Sequence, residues 1–496
     1  MTSTNNIVFR SEQQQAIDLT VNSLKRNRKM LWNAKMRFGK TLCALEVARL
    51  CGYRRTLILT HRPNVRGEWF ESLLKLKLDG WLFGCKDPNA VAFDAQTFEA
   101  IEAKAKQDKN THYIYFASMQ DLRGSKRVNQ QKGIEKNDHI FNTHWDFLIV
   151  DEAHEGIMSR LGRDVIGELQ KRRTLRTLYL SGTPYNIQQM FDNTEVYHWD
   201  YCMEQSAKAA WTQAHANQPN PYEGLARMNI ITYNLAREMR SYRISETGAF
   251  NFAELFRTEN VPADEATNGA TTRFVHEADV RKFVKLISKN STNKLYPYAN
   301  KQLAGSLDHT LWYVPGVQAA HCLARILSEQ TPDNPFGQYA IVDVAGEGNS
   351  AEERSDIYEQ TKHERDALER VKTAIANNKL TITLSCGRLT MGVSVPEWTA
   401  VLMLAGAAET GGMRYFQTIF RCQSPYTDAR VKTECYAIDF SPCRTLTVVD
   451  QYVNNNTYTS NQEERVAKLS QFLDLCAFTE ISASKPTRFD SEAFIR

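Results

Sequence analysis

Hydrophobic residues in this chain gather in short unbroken runs rather than alternating with polar ones. The first set is MLWNA (30–34), TLILT (56–60), YIYFA (113–117), FLIV (147–150) and TLYLS (177–181). The second is TLWYV (310–314), YAIVDV (339–344), TITLS (381–385), AVLML (400–404) and CYAIDF (435–440). Continuous runs of this length, rich in β-branched residues, predict strands covered on both faces, as in a parallel sheet. Segments with helical spacing such as TLCALEVARL lie between them and complete β–α–β units. The pattern occurs twice, which predicts an α/β chain with two tandem parallel-sheet domains, residues 1–190 and 306–445.

Strand signals fade over 191–305, where the chain is polar and aromatic (YHWDYCMEQSAKAAWTQAHANQPNPYEG), with turn signals at Asn217–Pro221 and Asn268-Gly269. This predicts a linker plus a mostly helical insertion. Residues 446–496, containing QYVNNNTYTSNQEERVAKLSQFLDL, predict a short helical C-terminal tail.

Composition narrows the class. At 496 residues the chain exceeds one core and fits two or three domains. Apolar residues at 42% and charged residues at 24% are globular values, and a net charge of +4 permits a polyanionic partner without arguing for one. The ten cysteines are scattered, with neither zinc-ligand spacing nor a disulfide framework, as expected in a reducing, cytoplasmic compartment. The opening MTSTNNIVFRSEQQQ has no apolar run, so no signal peptide is expected. No apolar stretch reaches the roughly 20 residues of a bilayer span, so no membrane association is expected either.

Two segments carry phosphate chemistry. Ala34-Lys-Met-Arg-Phe-Gly-Lys-Thr41 follows a strand signal and opens a helical one. It matches the phosphate-loop pattern G-x-x-x-x-G-K-S/T except that Ala34 replaces the first glycine. Gly39 lets the backbone curl its N–H groups toward phosphate, beside Arg37 and Phe38, and the helix N-terminus adds a favourable dipole. Lys40 is placed to reach the β and γ phosphates of ATP, and Thr41 to ligate Mg2+. Asp151-Glu-Ala-His154 follows the buried run FLIV, which puts a carboxylate at the sheet edge where ligands bind. Asp151 is expected to hold Mg2+ through water, and Glu152 to orient and deprotonate the attacking water.

AKMRFGKT, DEAH and Ser181-Gly-Thr-Pro184 resemble motifs I, II and III of superfamily 2 helicases, in that order. The resemblance implies two RecA-like domains and ATP hydrolysis between them. It extends to Arg10-Ser-Glu-Gln13, similar to the R-x-x-Q segment that contacts adenine, with Phe9 available to stack on the base. Thr390-Met-Gly392-Val-Ser-Val-Pro396 resembles motif V, Thr390 facing nucleic acid and Gly392 the nucleotide. Tyr415-Phe-Gln417-Thr-Ile-Phe-Arg421 resembles motif VI, Q-x-x-G-R-x-x-R, with Phe420 for the glycine and Ser424 for the second arginine. Gln417 and Arg421 then act on the nucleotide from the second domain, Arg421 as the finger, with Arg414 as a substitute. The resemblance also implies a coupling role for His154, Ser181 and Thr183. It covers about 350 residues, and within the superfamily the motor subunits of restriction enzymes and related phage or defence ATPases are most similar.

Nucleic-acid contacts are expected from loops at the sheet edges. Candidates are Thr60, Arg62 and Arg66 in the motif Ia-like segment, Ser118 and Gln120 after the next strand, and Pro315-Gly316 in the second domain. The basic clusters 25–29 and 171–173 predict solvated faces. Asp94 with Glu102 and Lys104 mimics a nuclease D…ExK set, but FEAIEAKAKQ predicts a helix, which aims the pair poorly at one metal. The expected function is an ATP-dependent motor on DNA, in double-stranded form, with any nuclease or methylase on separate subunits. An RNA helicase, or an ATP-gated switch that recruits such enzymes, stays open because DEAH serves all of them.

Overall fold

A computed structural model of the chain describes residues 7–60, 66–78, 80–86, 95–119, 121–122, 125, 137–156, 160–184, 186–215, 218–244, 249–260, 272–346, 357–390, 393–405, 412–426, 428, 430–456, 461–482 and 485–488. The chain divides into two units, Met1–Met203 and Glu204–Arg496.

The first unit is built on a seven-stranded sheet. Its strands are β1 (Lys29–Ala34), β2 (Arg55–Thr60), β3 (Leu82–Cys85), β4 (Tyr113–Ser118), β5 (Phe147–Asp151), β6 (Arg176–Ser181) and β7 (Val196–Trp199). They lie in the order β3-β4-β2-β5-β6-β1-β7, and every pairing is parallel. Parallel register places all C-terminal ends at one edge: Asn33 stands opposite Ser181, and Thr60 opposite both Asp151 and Ser118. Leu57, Leu59, Leu148 and Val150 are fully buried in one core, and Ile58 and Ile149 between them, on the other face, are fully buried too, as two-sided coverage of a parallel sheet requires. Three helices follow the sheet edge: α1 (Ser11–Ser23), α2 (Lys40–Leu50) and α3 (Arg66–Lys75).

The second unit carries β8 (Arg227–Tyr233), β9 (Thr258–Asn260), β10 (Thr272–Phe274), β11 (His309–Tyr313), β12 (Ala340–Asp343), β13 (Thr381–Ser385), β14 (Ala400–Met403), β15 (Glu434–Asp439), β16 (Ala477–Ser482) and β17 (Lys485–Arg488). Eight of them form a sheet in the order β12-β13-β11-β14-β15-β8-β16-β17, parallel except for the terminal β16–β17 pair. Strands β9 and β10 pair separately.

All ten runs expected as strands are strands, and both parallel-sheet α/β domains are present. The parts outside them need correction. Residues 191–305 carry the expected helices, Tyr201–Ala214 and Glu277–Ile287 among them, but not helices alone: β7 extends the first sheet, and β8 lies inside the second, between β15 and β16. Arg227 and Asn229 interrupt the apolar run of β8, and this hides it in the sequence. The tail is not only helical either, since after the helix Gln462–Leu475 the chain returns as β16 and β17. No described helix is long and apolar enough to cross a membrane, and every described cysteine is free.

Candidate nucleotide site

The phosphate loop leaves β1 at Ala34 and enters α2 at Lys40. Ala34 is still a strand residue, fully buried and paired with Trp199. A position with ordinary strand backbone tolerates a methyl group, which explains how the first glycine of the pattern is dispensable. Gly39 is not. Its φ is +95°, and a Cβ there would stand 2.6 Å from Gln13 Nε2.

Lys40 Nζ donates to the carbonyls of Ala34 (2.7 Å) and Lys35 (3.3 Å). Burial lowers its pKa, while the carboxylates of Glu152 and Asp151 oppose that fall. Arg37 is likewise lowered by burial and supported by Glu68. Thr41 is half-buried in the first turn of α2.

Arg10 and Gln13 both reach this loop. Arg10 Nη2 and Gln13 Nε2 donate to the Phe38 carbonyl at 3.0 and 2.7 Å, and Gln13 Oε1 accepts from the Arg10 backbone N–H at 2.9 Å. The adenine-contact candidates are therefore clamped to the phosphate loop, with half-buried Phe9 just before them. The Phe38 side chain does not face the nucleotide side, which corrects its assignment. Its ring is fully buried against Trp32, Tyr197 and Trp199, and it anchors the loop to the core.

Asp151 closes β5, and both of its oxygens are engaged. Oδ1 accepts the Glu152 backbone N–H at 3.0 Å and Oδ2 accepts the Trp69 indole N–H at 3.1 Å. Burial and then the adjacent Glu152 charge push its pKa up to about 7, against the pull of Lys40. Glu152 has φ +46°, Arg37 +70° and Leu389, just before Thr390, +62°. Two motif positions and the residue just before a third thus hold backbone that non-glycine residues rarely adopt, a strain that collects at functional sites.

His154 is buried, its Nδ1 2.8 Å from Ser181 Oγ and 3.5 Å from Glu152 Oε2. Ser181 Oγ also accepts the Thr183 backbone N–H at 3.1 Å. The three coupling candidates form one hydrogen-bonded chain that starts beside Glu152.

In the second unit Arg421 is 5% exposed, in the turn Phe420–Gln423. Its Nε donates to the Thr390 carbonyl at 2.7 Å and its Nη1 to the Val393 carbonyl at 2.6 Å. Gln417 is buried, and Arg414 is exposed. Here the Arg421 guanidinium braces the motif V backbone.

Among the nucleic-acid candidates, Thr60, Ser118 and Thr390 are corrected. All three are buried; Ser118 Oγ donates to Asp121 Oδ2 (2.7 Å) and Thr390 Oγ1 to the Gly387 carbonyl (2.6 Å). A hydroxyl directed inward cannot hold a phosphate outside. Arg66, the first residue of α3, is half-buried, as are Pro315 and Gly316 ahead of the helix Val317–Ser328. Arg62, Gln120 and Gly392 lie outside the described residues, as does Asp94. Glu102 and Lys104 sit on the helix Phe98–Gln107, with Tyr113 donating to Glu102 Oε1 at 2.5 Å, so no nuclease pair forms there.

Residues 6–186 match the family described as the res subunit of type III restriction enzymes. A putative type II restriction enzyme and methyltransferase, RM.MpnORF110P C-terminus, of Mycoplasma pneumoniae is 25% identical over 479 residues. That alignment covers 86% of this chain and 63% of the relative. The chain resembles the superfamily 2 motors of restriction enzymes. A solved structure titled ATP-dependent Type ISP restriction-modification enzyme LlaBIII bound to DNA shares the fold, with a TM-score of 0.53 at 12% identity. It matches 97% of this chain but only 32% of its own. This chain thus spans under two thirds of both.

Two residues that no motif marks also hold the motifs in place. Trp69 bonds Asp151. Lys432, 5% exposed, donates to the carbonyls of Pro396, Trp398 (2.7 Å), Cys422 and Ser424 (both 3.0 Å), tying the segments after motifs V and VI together. A lone lysine in ARVKTEC and a lone tryptophan in RGEWFE carry no signal in sequence.

Proposed function

We propose that this chain is the ATP-hydrolysing motor of a restriction system and acts on double-stranded DNA. One observation carries the reading: parallel register brings the phosphate loop, the Asp151-Glu152 pair and the His154–Ser181 chain to a single sheet edge. In this reading Lys40 exchanges the Ala34 and Lys35 carbonyls for phosphate oxygens, a charge-assisted trade. The donor set of Thr41 hydroxyl and Asp151 carboxylate fits Mg2+, a hard ion that takes one or two protein oxygens and the rest from phosphate and water. Among the described residues there is no group of three or more His, Cys, Asp or Glu side chains, so no all-protein metal cage competes with that arrangement. Bound there, Mg2+ would neutralise developing phosphate charge. Glu152 takes the proton of the attacking water, and its link through His154 to Ser181 and Thr183 passes the change onward.

DNA as the substrate, and a nuclease or methylase on accompanying subunits or on further sequence, are supported by the restriction enzymes that this chain resembles. Lys40→Ala tests the site: ATP binding and turnover should both collapse, and near wild-type activity would remove residues 34–41 from it. Glu152→Gln should keep ATP but scarcely hydrolyse it. A variant that still turns over rapidly would put the base elsewhere.

A further inference from the structure

Helix α3 brings to the site a residue that the motifs leave out. Trp69 is 1% exposed, and its indole N–H, which needs an acceptor once buried, is spent on Asp151 Oδ2 at 3.1 Å. The Glu152 backbone N–H holds the other oxygen, Oδ1, at 3.0 Å. With one donor on each oxygen, the carboxylate plane is fixed, and each oxygen keeps a lone pair for a second partner. A phenylalanine there would be smaller and would bring no donor, so Asp151 Oδ2 would lose its indole N–H. The helix is itself pinned, because the neighbouring Phe70 packs edge-on to Phe83 of β3 at 5.0 Å. Glu68, one residue earlier, lies near enough to Arg37 of the phosphate loop to support its charge. The first turn of α3 therefore addresses both the loop that holds phosphate and the carboxylate that faces the cation.

We infer that Trp69 is a positioning residue that fixes the Asp151 carboxylate for Mg2+ bound with the nucleotide, an inference that rests on the ATP site proposed above. Groups that orient metal-facing side chains in this way are commonly worth about 10–100-fold in metal affinity. The tests use the full chain. In Trp69→Phe, nucleotide affinity without Mg2+ should stay within about twofold of wild type, while the Mg2+ midpoint for tightening ATP binding rises roughly tenfold. A second arm works even if that variant folds poorly. In a nitrogen-15 spectrum of the tryptophan indoles, Asp151→Asn, which preserves the shape of the side chain, should displace one indole resonance. The same resonance should move when Mg2+ and ATP are added to wild type. A Trp69→Phe protein with an unchanged Mg2+ midpoint, or a displaced indole that ignores Mg2+ and ATP, overturns the inference. Failure of wild type to bind ATP with Mg2+ at all would instead overturn the site on which it depends.

Discussion

Replacing Gly39 by alanine puts a single methyl group where two constraints meet. The backbone sits at φ +95°, beyond the narrow left-handed basin that side chains tolerate, which costs at least about 1–2 kcal/mol. The new Cβ would also lie 2.6 Å from Gln13 Nε2, the atom that donates to the Phe38 carbonyl. Gln13 must swing away, and losing its bond to the loop costs about a further 0.5–1.5 kcal/mol. Together these come to about 1.5–3.5 kcal/mol concentrated in the phosphate loop, a loss of roughly 10–400-fold in ATP affinity if the loop relaxes to a non-binding shape. Calorimetric titration with ATP and Mg2+ measures it. The mechanism is separated by a cycle with Gln13→Ala, which loses the same bond by itself and removes the clash, so Gly39→Ala should cost about 1 kcal/mol less in that background. Strictly additive effects, or wild-type affinity in Gly39→Ala, would refute the reasoning.

Three further outcomes follow from buried groups. Arg421→Ala leaves the carbonyls of Thr390 and Val393 without their donor, at about 2–4 kcal/mol, so thermal unfolding should shift down along with turnover; loss of turnover without destabilisation would contradict the bracing role. Lys432→Met removes the ammonium shared by four carbonyls and should lower Tm by roughly 5–10 °C while leaving ATP affinity intact, measured by calorimetry. Because burial and Glu152 raise Asp151 to about 7, its carboxyl keeps the proton below neutrality and a cation must displace it. Mg2+-dependent ATP affinity should therefore climb between pH 6 and 8, and Asp151→Asn should flatten that climb; a pH-independent wild type would contradict it.

The ten strands visible in sequence share one property: unbroken apolar runs, the mark of a strand covered on both faces. The strands that escaped break that property for physical reasons. Strand β3 is only four residues and contains Gly84 and Cys85, β7 carries His198 at the sheet margin, and β8 opens on Arg227 and Asn229. Strand β16 (AFTEIS) mixes apolar and polar residues, and β17 (KPTR), at the sheet edge, is polar. At the proposed site, Lys40, Asp151, Glu152, His154 and Ser181 were legible as candidates because each stands in a short motif next to a strand end. Trp69 and Lys432 were not, since each reaches its partners through the fold across tens of residues or through backbone carbonyls, which leave no trace in residue type. Thr60, Ser118 and Thr390 misled for the converse reason: a hydroxyl after a strand suits a phosphate contact and an inward turn bond equally well, and here all three are buried.

If ATP hydrolysis at this sheet edge drives the protein along duplex DNA, turnover must depend on the polymer supplied. Steady-state ATP turnover, compared without polymer and with duplex DNA of increasing length, single-stranded DNA and RNA, tests it most directly. Turnover should rise with duplex length and vanish in Lys40→Ala. Turnover that ignores duplex length, or that responds only to RNA, would contradict it.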